Sequence, residues 1–159
     1  MATQRLVPSL WFADEAEEAA KFYVAIFPDS AIVRTTRWPP GGPGREGSVL
    51  TVEFTLFGQT VTALNGSMEK PFTEAISMTI LCDTQEEIDT YWYALLIDGG
   101  EPVQCGWLCD RYGLSWQIVP ACLPDMLNDP DRNRASRVAA ALFEMVKLDI
   151  ATLESAYHG

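Results

Sequence analysis

Few residues of this 159-residue chain carry chemistry, and their spacing suits little of it. Cys105 and Cys109 stand four apart in "CGWLCDRYGLSWQIVP", residues 105–120. A structural zinc site needs four ligands, usually a second cysteine pair or a Cys/His couple. Cys82 and Cys122 are isolated, and the one histidine is His158, next to the last residue. Cys105 as a nucleophile would need a base beside it, and the domain offers no histidine to serve. Ser-His-Asp and Cys-His catalysis are excluded for the same reason. The thiols read as small apolar residues, and the expectation is no metal and no cofactor. Glu53 and Glu74 fall in strand-like stretches, where a paired acid/base role is weighed against a solvated sheet face; the latter is preferred. The glycines of "PPGGPGREGS" lead into a strand rather than a helix, so they do not form the cradle of a dinucleotide or methyl donor.

The tryptophans say more. "SLWF", "ALNGS", "ISMT" and "LSWQI" each set a polar residue beside large apolar ones within a strand-like run. If these strands curl around one hollow, Ser9, Trp11, Asn65, Ser77, Trp116 and Gln117 line it. An apolar cavity with a few convergent polar groups is how small-ligand sites look. The competing reading is ordinary core, with the polar groups bonded to backbone.

The elements that would position these residues follow from periodicity. "LVPSLWF" (6–12) reads as a strand, with Pro8 favouring an edge or a strand start. Asp14 reads as the N-cap of a helix over 15–27, where Ala19, Phe22, Tyr23 and Ile26 recur at helical spacing and Pro28 stops the run. Strands are expected over 30–38, 48–58 and 59–66, the last two turning at Gly58-Gln59. The stretch 39–47 between the first two reads as a flexible surface loop and a candidate lid. The order then repeats: a strand over 74–83, and a helix over 84–98 presenting Ile88, Tyr91, Trp92 and Leu95 and closing at Gly99-Gly100. Strands over 102–110 and 114–120 follow. Two halves of about 75 residues with the same element order suggest an internal repeat. The remainder, 122–159, reads as two or three helices, one carrying Val138, Leu142, Met145 and Val146 as an apolar stripe.

Composition bounds the rest. Hydrophobic residues make up 48% of the chain and aromatic ones 11%, which suits a packed globular protein. A chain this long buries about 70% of its unfolded surface. The formal net charge of −11 argues against nucleic acid and anionic membrane surfaces as partners. No apolar run approaches the roughly 18 residues of a membrane span, and "MATQRLVPSLWF" lacks the pattern of a secretory leader. Four cysteines without such a leader point to free thiols and a cytoplasmic location.

"LWFADEAEEAAKFYVAIFPDS", "SVLTVEFTLFGQTVTALNG", "FTEAISMTILCDTQEEIDTYW" and "CGWLCDRYGLSWQIVP" together resemble the PhnB-like proteins, also called the 3-demethylubiquinone-9 3-methyltransferase domain family. They belong to the vicinal oxygen chelate superfamily of glyoxalase, bleomycin-resistance and extradiol-dioxygenase relatives. The resemblance runs over about residues 4 to 157. It implies an α+β fold of two βαβββ modules, about 4–67 and 72–121, in one domain with a C-terminal helical tail over 122–159. It also implies a sheet cup holding a cavity, and a homodimer. Metal-using members carry His or Glu at positions that fall here near Val7 to Ser9, at about Ser77, and at Gln117. None of these is a good metal ligand, and Gln117 lacks the charge that would balance a divalent cation. The expectation is therefore a metal-free cavity for a modest aromatic or amphipathic ligand, with Trp11 and Trp116 stacking and Ser77, Asn65 and Gln117 holding the polar end. Two alternatives stand beside it. One is the methyltransferase of the family label, acting on a quinone-like phenol. The other is an interaction module whose hollow is filled with side chains.

Overall fold

The computed structural model describes residues 4–159; the first three residues of the N-terminal stretch read for a leader lie outside it. The chain divides into two compact units at Pro71/Phe72, and each repeats one topology.

In the first unit, β1 (Ser9–Phe12) leads into α1 (Ala16–Ile26), followed by β2 (Ala31–Arg37), β3 (Val49–Leu56) and β4 (Gln59–Asn65). The sheet order is β1-β4-β3-β2, with β1 parallel to β4 and the other pairs antiparallel. Side chains alternate across a strand, and here one set is shut under α1. Leu10, Phe12, Val52, Phe54, Val61 and Ala63 are buried, as are Ala16, Ala19, Ala20 and Tyr23 of the helix. The Tyr23 ring stacks on Phe54 with centroids 6.3 Å apart. Each large apolar side chain so buried contributes about 1.5–3 kcal/mol before entropy is counted.

The expected cap of α1 differs from the observed one. Glu15, not Asp14, precedes the helix, and its side chain makes no cap bond. The first helical N–H, that of Ala16, donates instead to Asn65 Oδ1 at 2.9 Å. A helix start must hand its open donors to some acceptor, and here the sheet supplies it. The glycine-rich connection between β2 and β3 is tied at its base, with Trp38 N–H donating to Ser48 O and Gly47 N–H to Trp38 O. It folds over the Trp38 ring so closely that a Cβ on Gly44 would sit 2.2 Å from the indole nitrogen.

The second unit repeats the pattern with β5 (Ser77–Cys82), α2 (Gln85–Leu96), β6 (Glu101–Pro102), β7 (Trp107–Cys109) and β8 (Ser115–Pro120), in the order β5-β8-β7-β6. The start of α2 is a capping box: Thr84 accepts from Glu87 N–H, and the Glu87 carboxylate reaches back to Thr84 N–H. Ile88, Tyr91, Trp92 and Leu95, the face expected from periodicity, are all buried. The single strand expected over 102–110 is a hairpin. Val103 N–H donates to Trp107 O, and Cys105 and Gly106 turn the chain with φ of +60° and +81°. A Cβ on Gly106 would lie 2.8 Å from Ile118 O, so only glycine fits this close approach.

Three helices complete this unit: α3 (Leu123–Leu127), α4 (Arg132–Phe143) and α5 (Ile150–His158). They enclose a small core of Leu123, Val138, Leu148 and Leu153. The side chains of Asp131 and Asp149 cap α4 and α5. Helix α4 stops at Phe143, short of the expected stripe residues Met145 and Val146. The carbonyls of those two residues leave the helix to accept from Cys105 N–H and Gly106 N–H, both at 2.8 Å. No helix among the described residues is long and apolar enough to cross a membrane.

Candidate functional site

Each sheet has one face closed by a helix and one face turned away from it, and the second module's open face holds the candidate site. Alternation along β5 puts Ile80 and Cys82 under α2 and turns Ser77, Thr79 and Leu81 the other way. In β8 it does the same with Trp116 and Ile118 against Gln117 and Val119. The register sets Gln117 between Thr79 of β5 and Trp107 of β7.

Half-buried Gln117 donates from Nε2 to Ser77 Oγ at 2.8 Å. Among the described residues, its carbonyl oxygen accepts no hydrogen bond. Side chains of α3 and α4 stand over the same face and, with it, line a cavity of about 540 Å³. Its floor includes Thr79, Trp107, Gln117 and Val119, and its wall includes Leu123, Leu127, Leu142 and Phe143. None of the lining side chains is charged. Its size lies within the range of about 300–1,000 Å³ of small-molecule sites.

The expected site residues separate into two groups. Ser9 and Trp11 occupy the open face of the first sheet, and Ser77 and Gln117 that of the second. Trp11 is 37% exposed; its indole N–H donates to Met68 O at 2.8 Å, and one ring face lies on Gly66. Asn65 and Trp116 do not line an open face, which corrects the sequence expectation for both. Asn65 bridges α1 and β3, accepting from Ala16 N–H and donating to Val49 O. Trp116 is 2% exposed, on the α2 side, and its indole N–H donates to Asp110 Oδ2 at 2.8 Å. Buried indole and amide groups find protein partners, and theirs lie inside the module.

Asp110 is the residue that sequence reasoning missed. Nearly closed to water, it accepts from the backbone N–H groups of Tyr112 and Leu114 as well as from Trp116. The signal was available: an aspartate opening "DRYG", a stretch able to fold back on its own carboxylate.

The cysteines do not form a thiol site. All four are free. Cys82 is buried, and burial, reinforced by the charges of Glu87 and Asp83, pushes its thiol up to about 12. Cys109 Sγ lies 3.7 Å from Ser115 Oγ. Glu53 pairs with Arg34 at 2.8 Å on the exposed side of the first sheet, and Glu74 is exposed ahead of β5.

Neither group implied by the family resemblance fits these residues. No cluster of three or more His, Cys, Asp or Glu side chains among the described residues is arranged to hold a metal ion. At the ligand positions Ser77 and Gln117 the donors are a hydroxyl and an amide, with no carboxylate to balance a divalent charge. A nucleotide-type methyl donor is usually held on a glycine-bearing turn between strand and helix. The strand-to-helix turns here, Ala13–Glu15, Asp83–Thr84 and Ala121–Cys122, contain no glycine, and the first two carry carboxylates.

Two consecutive βαβββ modules with helix-backed mixed sheets define an α+β protein of the glyoxalase/bleomycin-resistance fold. Within that fold the chain belongs to the 3-demethylubiquinone-9 3-methyltransferase family, the PhnB-like proteins, whose sequence model matches residues 4–119. A PhnB protein from Bacillus cereus, carrying the same methyltransferase label, is 38% identical. The match covers 74% of this chain and 100% of that one, with a TM-score of 0.67. The protein PA1353 from Pseudomonas aeruginosa shares the fold at 16% identity and a TM-score of 0.61, over 72% of this chain and 95% of that one. So does the fosfomycin resistance protein FosX from Listeria monocytogenes, solved with Mn(II) and sulfate, at 15% identity and a TM-score of 0.53, over 80% and 98%. No curated protein matches the chain.

Proposed function

We propose that this protein binds a small uncharged aromatic or amphipathic molecule on the open face of its second module, without a metal ion. The observation that carries the reading is the Gln117–Ser77 pair. Ser77 holds the Gln117 amide in place, leaving a carbonyl acceptor and a second N–H to meet a ligand beside an apolar cavity. Sites of this kind take most of their affinity from apolar contact and their orientation from a few polar groups. Ser9 and the half-exposed Trp11 are proposed as contacts on the first module's open face, Trp11 by stacking. The reading includes a cytoplasmic homodimer with no nucleic-acid partner, in keeping with the family resemblance and the net charge of −11.

Thermal shift followed by calorimetry tests it, using indole, 4-methylphenol and octanamide as probes. Binding of at least one probe, weakened in Gln117→Ala, is the expected result. Stoichiometric stabilisation by Mn²⁺ or Zn²⁺ would overturn the metal-free claim, and size-exclusion chromatography with light scattering checks the dimer. A second reading, methyl transfer to a phenolic acceptor, is supported by the label shared by the family and the 38% identical relative. S-Adenosylmethionine binding in the same calorimetric assay would favour it.

A further inference from the structure

We infer that the C-terminal extension, α3 and α4, supplies the apolar wall of this site and selects ligands that pair an uncharged polar head with an apolar body. The inference rests on the binding reading above and adds which part of the chain chooses the ligand. The family match ends at residue 119, and the Bacillus cereus PhnB protein is fully covered by 74% of this chain. The cavity wall begins at Leu123. That wall therefore belongs to a segment outside the family match.

The extension is anchored as a fixed wall. Its core of Leu123, Val138, Leu148 and Leu153 is closed, and Val119 of β8 packs against it. Backbone bonds join it to the β6–β7 turn at Cys105 and Gly106. Gln85 of α2 donates to Leu148 O and accepts from Ile150 N–H, at 3.1 and 2.9 Å. Yet Phe143, at the end of α4 and on the cavity, is 66% exposed. An apolar ligand body would cover it.

On the sheet side, Gln117 and Thr79 offer an amide and a hydroxyl; the wall side adds the amide of Asn128, whose Nδ2 already donates to Pro124 O, and no lining residue offers a countercharge. An ionised head would lose its hydration there without a partner. The class of ligand that fits is a neutral amphiphile, such as a primary amide or an alcohol on a hydrocarbon chain.

The test uses the full chain and the primary amides from butanamide to octanamide, with the carboxylic acids of the same length at pH 8. Isothermal titration is expected to show amide affinity rising up to about fourfold per methylene buried, with the acids much weaker. In Phe143→Ala and Leu127→Ala the dependence on chain length flattens, octanamide losing more affinity than butanamide. Gln117→Ala weakens every amide by a similar factor. Because Phe143 is exposed, Phe143→Ala is expected to keep its thermal midpoint, and Phe143→Leu to restore most of the slope. Amide binding without a chain-length slope, or an unchanged slope in Phe143→Ala and Leu127→Ala, overturns the role of the extension and leaves the site standing. Acids binding as well as amides overturns the neutral head. Failure of every amide, together with indole and 4-methylphenol, overturns the binding reading itself.

Discussion

The indole N–H of Trp116 donates to the carboxylate of Asp110 across 2.8 Å, and both side chains are nearly closed to water, at 2% and 3% exposure. The same carboxylate holds the turn that joins β7 to β8. Asp110→Ala strands three donors at once, those of Tyr112, Leu114 and Trp116. It is expected to cost about 3 kcal/mol or more. Asp110→Asn keeps one oxygen acceptor in place and is expected to cost less, about 1–2 kcal/mol. Urea denaturation measures both; equal losses would contradict the central role of Asp110.

Trp11 lies on Gly66, where an added Cβ would fall 1.8 Å from the ring. Gly66→Ala therefore has to push the indole off its shelf and break its bond to Met68 O. Overpacking of this kind costs about 1–3 kcal/mol. A shifted Trp11 indole signal in the ¹⁵N NMR spectrum, with a lower thermal midpoint, is expected. An unmoved signal would contradict the packing.

Cys82 is expected to be the slowest thiol to react. Its thiol is pushed up to about 12, mainly by burial, and the thiolate is the reactive form. Iodoacetamide at pH 8, followed by peptide mass spectrometry, should leave Cys82 unmodified in the native protein and modify it in urea. Native-state labelling of Cys82 as fast as that of Cys105 would refute this.

Lys147 and Asp89 form a hydrogen-bonded ion pair that ties the extension to α2. The bond from Lys147, with one from Gln85, lowers the Asp89 carboxyl, and the bond to Asp89 raises the Lys147 ammonium. A carboxyl lowered on folding stabilises fully above its unfolded value of about 4, and that stability is lost as pH falls through the lower folded value. A raised ammonium stabilises fully below about 10.4 and loses this as pH rises through its higher folded value. The tie is thus strongest between about pH 5 and 10. The Asp89 side chain is 42% exposed, so screening limits the pair to about 1 kcal/mol or less. Asp89→Asn should lower the thermal midpoint slightly at pH 7 and flatten its fall between about pH 4 and 2; parallel pH profiles would exclude the contribution.

Much of the architecture was legible because its signals are local. The helical spacing of Ile88, Tyr91, Trp92 and Leu95 and the closing Gly99-Gly100 are local to one element, so α2 could be read directly. The repeated order of strand, helix and strands was legible for the same reason, and so were the missing histidines and the uncharged Gln117. Trp116 and Gln117, neighbours in sequence, must face opposite ways in a strand, but alternation does not say which way is in. Packing on α2 decided it, turning Trp116 inward to Asp110 and Gln117 outward to Ser77. Asn65 likewise looked like a lining residue until the sheet brought it to the open end of α1, 49 positions away from its partner Ala16. The strand expected over 102–110 broke at Cys105 and Gly106, where distant Met145 and Val146 accept the turn's N–H groups. By itself the sequence determined most of the elements, their repeated order and the absence of internal histidine chemistry, all properties of neighbouring residues or of composition. Only the tertiary structure decided which side chains share a face and that the last helices wall the cavity, because those depend on hydrogen bonds and packing between residues far apart in the chain.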